Sequence, residues 1–377
     1  MSPPARVEAL RGRLDEMVAA LRTLVEAESP SADRDALAAC ARVAAKLGGS
    51  LLGAEPERVE VGDRTHLRWR LGGPTRVLLL CHYDTVWPLG TLETWPFSVA
   101  GGVATGPGAF DMKAGLVQGL FALASLDDRE GVTMLVTADE EVGSTTSREL
   151  IEAEAAGATA ALVLEPSAGP AGALKVARKG TSTYEVEVRG RAAHAGLEPE
   201  KGANALIELA HQVLALERLA RPELGTTVTP TVASAGTTQN TVPAQARFRV
   251  DVRAFSTEEQ ERVDRDLKRL EPVVAGTSVV VHGDPNRPPL PEQASAELFA
   301  LASKLASELG LAPLASAAVG GGSDGNITAG IGVRTLDGLG AVGGGAHALG
   351  EHVVLDGMPE RAALVAALVD ALRGLLW

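Results

Sequence analysis

Cysteine is nearly absent. Cys40 and Cys81 are the only two, too few for a disulfide framework or a thiolate metal site, and the chain is expected in a reducing cytoplasm. Aromatic residues are scarce, at 3%, which is read with the abundant alanine and glycine as coding bias and carries no functional meaning. Positive charge is short as well: 35 Lys and Arg face 48 Asp and Glu, for a formal charge of -13. A polyanion partner needs clustered bases that displace counterions, so nucleic acid is excluded. No apolar run approaches the roughly 20 residues that cross a bilayer, and no membrane association is expected. The opening "MSPPARVEALRGRLDEMVAALRTLVEA" lacks the apolar core of a signal peptide and carries Glu8, Asp15 and Glu16 in an amphipathic pattern, which predicts one helix of the mature protein. What is present is a soluble composition, 45% hydrophobic and 22% charged, in a chain of 377 residues, long enough for two domains or one large α/β domain.

Short apolar runs alternate with helical patterns in the first half: "RVLLLCHYD", "DMKAGLVQGLFALASL", "VTMLVTADEE", "TSRELIEAEAAG" and "AALVLEPS". Strands separated by helices of this length predict βαβ units, a mainly parallel sheet and helices on both faces. Near residue 175 the texture changes. "TSTYEVEVRG" and "ARFRVDVRAF" alternate apolar and polar residues, as half-exposed antiparallel strands do. With the helical "GANALIELAHQVLALERLA" and "TEEQERVDRDLKRL" and the strand-like "TVTPTVASA" and "TSVVVHGD", the order is β-α-β-β-α-β, an inserted α+β lid or dimerisation domain. The expected division is 1-176 and 287-377 for a catalytic α/β domain, with 177-286 inserted.

Predicted parallel strands finish in His82 and Asp84, in Asp139, Glu140 and Glu141, and in Glu165, while Asp111 opens a helix after a glycine turn. Ligands gather at the carboxyl ends of strands in open α/β sheets, so these groups are expected to meet. Taken singly, each has an ordinary explanation. Asp111 is a natural N-cap, Glu140 and Glu141 suit a solvated loop, and His82 suits a core position. Their coincidence at matching topological positions is what argues for a site. Converging acids with no compensating Lys or Arg repel one another, and divalent cations neutralise them. Nitrogen and oxygen donors suit zinc, with cobalt or manganese as substitutes. The glycine pattern "GLGAVG" at 338 to 343 matches a dinucleotide fingerprint but leads into "GGAHALGEH" rather than a helix, so nucleotide binding is not expected.

"HYDTVWP", "GPGAFDMKAG", "TADEEVGS", "LEPS", "GRAAHAG" and "GGGAHALGEH" occur in an order that resembles the M20 family of dizinc metallopeptidases, nearest its glutamate carboxypeptidase branch. The resemblance implies two zinc ions per subunit, with His82 and Glu165 on one, Glu141 and His347 on the other, and Asp111 bridging. It implies a cis bond from Asp111 to Met112, Glu140 as general base toward a water between the metals, and Asp84 orienting His82 by accepting its ring N–H. His194 matches an oxyanion donor that reaches the site from a partner's lid, so a homodimer through the inserted domain is implied. Asn240 matches a lid asparagine near the oxyanion. Arg253 and Arg287 are candidates to pair a substrate carboxylate, though an arginine in such a segment is ordinarily a surface charge.

Glu at position 165 accompanies carboxypeptidases and N-acyl amino acid deacylases in the family, whereas Asp accompanies aminopeptidases. The expected reaction is therefore zinc-dependent cleavage of an amide to release a carboxyl-bearing amino acid from a small peptide or N-acyl amino acid. The alternative within the class is a deacylase of the acetylornithine deacetylase or succinyl-diaminopimelate desuccinylase kind. The alternative outside it is a non-catalytic metal-binding homologue, against which stands the presence of every ligand and of the base.

Overall fold

The computed structural model describes residues 3–374. The chain divides into two compact units. One runs through Ala177 and takes up Leu290–Val319 and the chain from Ser323 onward; the other comprises Arg178–Pro289 and Gly320–Gly322.

The first unit is built on a six-stranded sheet in the order Glu57–Val61, Arg64–Arg70, Val132–Thr137, Val77–His82, Ala160–Val163, Thr335–Leu336. The last four are mutually parallel, and the first two add an antiparallel edge. Every residue of Val77–His82, Val132–Thr137 and Ala160–Val163 is buried, because helices cover both faces. Leu78 and Leu80 point to one side, toward Ile151 and Ile327, and Leu79 points to the other, toward the helices Ala114–Ala124 and Gly357–Arg373. Burying a leucine is worth about 1.5–3 kcal/mol, so packing from both sides resists any slip of the strand. Register then aligns the strand ends: His82 lies beside Thr137, and Leu80 beside Val163. Glu140 and Glu165 follow within three residues of those partners.

The predicted opening helix is two helices, Pro3–Arg11 and Leu14–Glu26. The break falls at Gly12 and Arg13, where glycine weakens the helix interior and Arg13 takes a non-helical ψ of 14°. Among the described residues, no helix is long and apolar enough to cross a membrane.

The second unit is an antiparallel four-stranded sheet, ordered Thr227–Ala235, Gln245–Ala254, Gly180–Arg189, Ser278–Arg287. Tyr184, Val186, Val188, Phe248, Val250 and Val252 face the helices Ala205–Leu216 and Thr257–Leu267, and polar residues alternate with them. Asn204 and Ser256 start these helices by accepting the backbone N–H groups of Leu206, Ile207 and Glu259.

Candidate metal centre

His82 ends its strand wholly buried, and its Nε2 has no hydrogen-bond partner. Asp111 Oδ1 and Glu165 Oε1 each stand 3.4 Å from that nitrogen. The other oxygen of Asp111, Oδ2, is 3.4 Å from Nε2 of His347, which also lies 3.2 Å from Glu141 Oε1. One carboxylate thus sits between two imidazoles, offering an oxygen to each. His82, Asp111 and Glu141 present donor atoms mutually within 4.8 Å, and so do His82, Glu140 and Glu165.

Local structure places each group. Asp111 is not a helix cap: it stands in a wide turn, Ala109–Lys113, with non-helical angles (φ -113°, ψ 95°), and the regular helix begins at Ala114. The Asp111–Met112 peptide bond is cis. His347 adopts a left-handed backbone, φ 61°, a conformation uncommon outside glycine. Asp84 meets the ring of His82 through two of its groups. The Nδ1 of His82 meets the Asp84 backbone carbonyl at 3.0 Å, while the carboxylate Oδ1 is 3.5 Å away. That carboxylate also accepts the backbone N–H groups of Glu140 and Glu141, each at 3.2 Å, and the Ser31 hydroxyl at 2.7 Å. The chain has already left the strand at Tyr83, and Asp84 thus faces the ring with its carbonyl and spans ring and neighbouring turn with its carboxylate.

The electrostatics call for positive charge. Burial alone lowers the affinity of His82 for a proton, but Asp111, Asp84 and Glu165 outweigh it and raise the group well above its ordinary value. Asp111 and Glu141 raise His347 to about 10. Burial works against an ionised Asp111, yet His347 and His82 hold it well below the usual carboxylate range. Such a set of carboxylates and ring nitrogens attracts cations of any kind, and dications use the nitrogen lone pairs directly. Compensation is not wholly absent, contrary to the sequence expectation. Lys175 Nζ, on the strand Leu174–Arg178, lies 3.7 Å from Glu165 Oε2.

His194, Asn240, Arg253 and Arg287 belong to the second unit. His194 Nδ1 accepts the backbone N–H groups of Gly196 and Leu197, each at 3.2 Å, which leaves the ring hydrogen on the exposed Nε2. A bridge to Thr241 and the bond from Ala195 N–H to the Asn240 carbonyl join the His194 and Asn240 loops. Arg253 is engaged two residues away, where its guanidinium forks onto Asp251. Arg287 is not a surface charge; it is buried, at 7% exposure.

A family model described as Peptidase family M20/M25/M40 matches residues 78–371. The chain belongs to this family. This M20 chain is 30% identical over 378 residues to carboxypeptidase G2 of Pseudomonas sp. (strain RS-16), across 94% of its own length and 89% of that protein. It is 34% identical over 176 residues to acetylornithine deacetylase of Myxococcus xanthus, covering 43% of this chain and 45% of the other. Among solved structures, an M20 family metallo-carboxypeptidase of Sulfolobus solfataricus has the same fold, with a TM-score of 0.73 at 16% identity over 96% of this chain and 99% of that one. The M20 chain is accordingly a peptidase or amidohydrolase with groups suited to metal.

Asp324 and Glu351 were not among the site residues expected from the sequence, and Asp139 was expected only as one of the acids that end a strand. Asp324 accepts hydroxyl hydrogens from Thr137, at 3.0 Å, and from Ser144, on either side of the Glu140–Glu141 turn. Asp139 accepts from the Thr146 N–H and hydroxyl, and His66 Nε2 lies 3.1 Å from that hydroxyl. Glu351, inside the quoted "GGGAHALGEH", lies fully buried under the Asp111 turn.

Proposed function

We propose that the M20 chain holds two zinc ions and hydrolyses an amide bond to release a carboxyl-bearing amino acid, in the manner of a glutamate carboxypeptidase. The observation that carries this reading is Asp111, whose two oxygens each stand 3.4 Å from a different imidazole. His82, Glu165 and Asp111 would hold one ion, and His347, Glu141 and Asp111 the other. The orphaned Nε2 of His82, facing two carboxylates in a buried site, fits that assignment. When bound, two dications lower the pKa of water and polarise the amide carbonyl.

The protein supplies the proton traffic and the positioning. Glu140 removes a proton from the attacking water through its carboxylate oxygen and returns it to the departing amine nitrogen. Asp84 holds the backbone of Glu140 and Glu141 together. His194, with hydrogen on Nε2, donates to the developing oxyanion. In the proposed homodimer this donor comes from a second copy of the chain, and Asn240 assists it. Arg253 and Arg287 are the candidates for the substrate carboxylate. Support for dimerisation comes from the helix Ala205–Leu216, which exposes Leu206, Ile207 and Leu214 beside the open edge strand Thr227–Ala235 with its exposed Val232.

The likeness to acetylornithine deacetylase over 43% of the chain favours a second reading, removal of a small acyl group from an amino acid. One experiment separates the two: hydrolysis of N-acyl amino acids and of α- and γ-linked glutamyl conjugates, with zinc or cobalt added and with chelator. Release of glutamate that chelator abolishes is the expected result. Preference for acetyl or succinyl substrates selects the second reading. Protein that retains no metal and cleaves neither class would make the chain a binding module.

A further inference from the structure

Glu351 has no part in the chemistry above, yet its surroundings are unusual for a buried acid. It is wholly buried, and its oxygens accept four N–H groups. Oε1 takes those of Phe110 at 2.8 Å and Asp111 at 2.9 Å; Oε2 takes those of Gly108 at 3.0 Å and of the Trp87 indole at 2.7 Å. Two of the four donors belong to the turn that aims Asp111 and a third, Gly108, immediately precedes it; the non-helical angles at Asp111 and Met112 take this turn out of the regular helical ladder. The fourth lies three residues beyond Asp84. Glu351 itself ends the loop that begins at the strand Gly343–Gly344 and carries His347, and its own N–H closes that loop onto Ala348 O at 3.1 Å. A single carboxylate therefore ties together the chain segments that supply Asp111, His347 and Asp84.

We propose that Glu351 is a positioning residue of the metal centre: it fixes the separation of Asp111 from the two imidazoles by holding the backbone of the Asp111 turn against the His347 loop. The inference rests on the two-ion reading above. A ligand carboxylate displaced by about half an ångström is already outside productive geometry, so a clamp on its own backbone N–H governs affinity as much as the ligand does. Glutamine has the right shape but replaces an acceptor with an NH2 group that faces N–H donors, and it removes the charge.

The test is zinc affinity, measured by competition with a chromogenic chelator on the full chain, alongside thermal unfolding of the metal-free protein. Glu351→Gln is expected to weaken zinc binding by about tenfold or more. Trp87→Phe, which withdraws one donor and leaves Asp111 itself alone, is expected to weaken it a few-fold with little change in melting temperature. Glu154→Gln is the control, since Glu154 is also buried but is held by Arg68 and Arg70; it should lower the melting temperature and leave zinc affinity unchanged. If Glu351→Gln fails to fold, Trp87→Phe decides. Variants with wild-type zinc affinity, whatever their melting temperatures, would overturn the clamp. Wild-type protein that binds no zinc would overturn the metal-centre reading and the clamp with it.

Discussion

Glu140 and Glu141 adjoin in sequence, share the Asp84 carboxylate as acceptor of their N–H groups, and are assigned different work. Because Glu140 also has an oxygen within reach of His82 and Glu165, substitution distinguishes base from ligand. Glu140→Ala should retain both metals by elemental analysis and lose kcat by about 10²–10⁴-fold; loss of one metal would make Glu140 a ligand instead. A residue of the second unit shows ordinary linkage. Glu259 accepts from Arg262, Arg221 and Thr226, and Arg262 chiefly lowers it from its ordinary 4.5 to about 2. A depressed carboxylate stabilises the fold above its unfolded value and loses that contribution as pH falls through the folded one. Glu259→Gln should therefore cost about 2 kcal/mol at neutral pH, and the gap to wild type should close between pH 4.5 and about 2 in urea titrations.

Elements position the donors through close backbone approach. A Cβ on Gly115 would fall 2.0 Å from the Leu164 carbonyl oxygen, and one on Gly340 would fall 2.1 Å from the same atom. The helix Ala114–Ala124 and the Gly340 loop thus pinch the segment that ends in Glu165. Gly115→Ala should cost about 1–3 kcal/mol by overpacking in chemical denaturation, and it should weaken metal binding as well, since the displaced atoms adjoin Glu165. The parallel strands were legible because strands buried on both faces read as unbroken apolar runs, and polar letters at their ends then stand out. His82, Glu140 and Glu165 stand out in that way from the sequence alone. Glu351 was not legible, because three of its four partners are backbone N–H groups, which no letter records. Lys175 was not legible because the fold, not its sequence neighbours, brings it to Glu165, and the break at Gly12 was hidden by an amphipathic pattern that continues on both sides of it.

At the scale of the molecule the proposed dimer makes a sharp prediction. If His194 serves its partner, mixing Glu140→Ala and His194→Ala proteins after subunit exchange should restore activity, up to about a quarter of wild type for random pairing in a two-fold assembly. Mixtures that stay inactive would place both groups in one chain. Sedimentation should show a dimer, with a monomer favoured by a charge placed at Leu214. The order of the donors along the chain has a further consequence. His82, Asp111, Glu140, Glu141 and Glu165 all precede the excursion into the second unit, whereas His347 and the strand Thr335–Leu336 follow it. A nascent polypeptide therefore carries a cluster of acids through more than a hundred further residues of synthesis before the second imidazole leaves the ribosome. In the two-ion reading, the second ion's set of donors is therefore complete only once His347 has been made, whereas His82, Asp111 and Glu165 are in place long before.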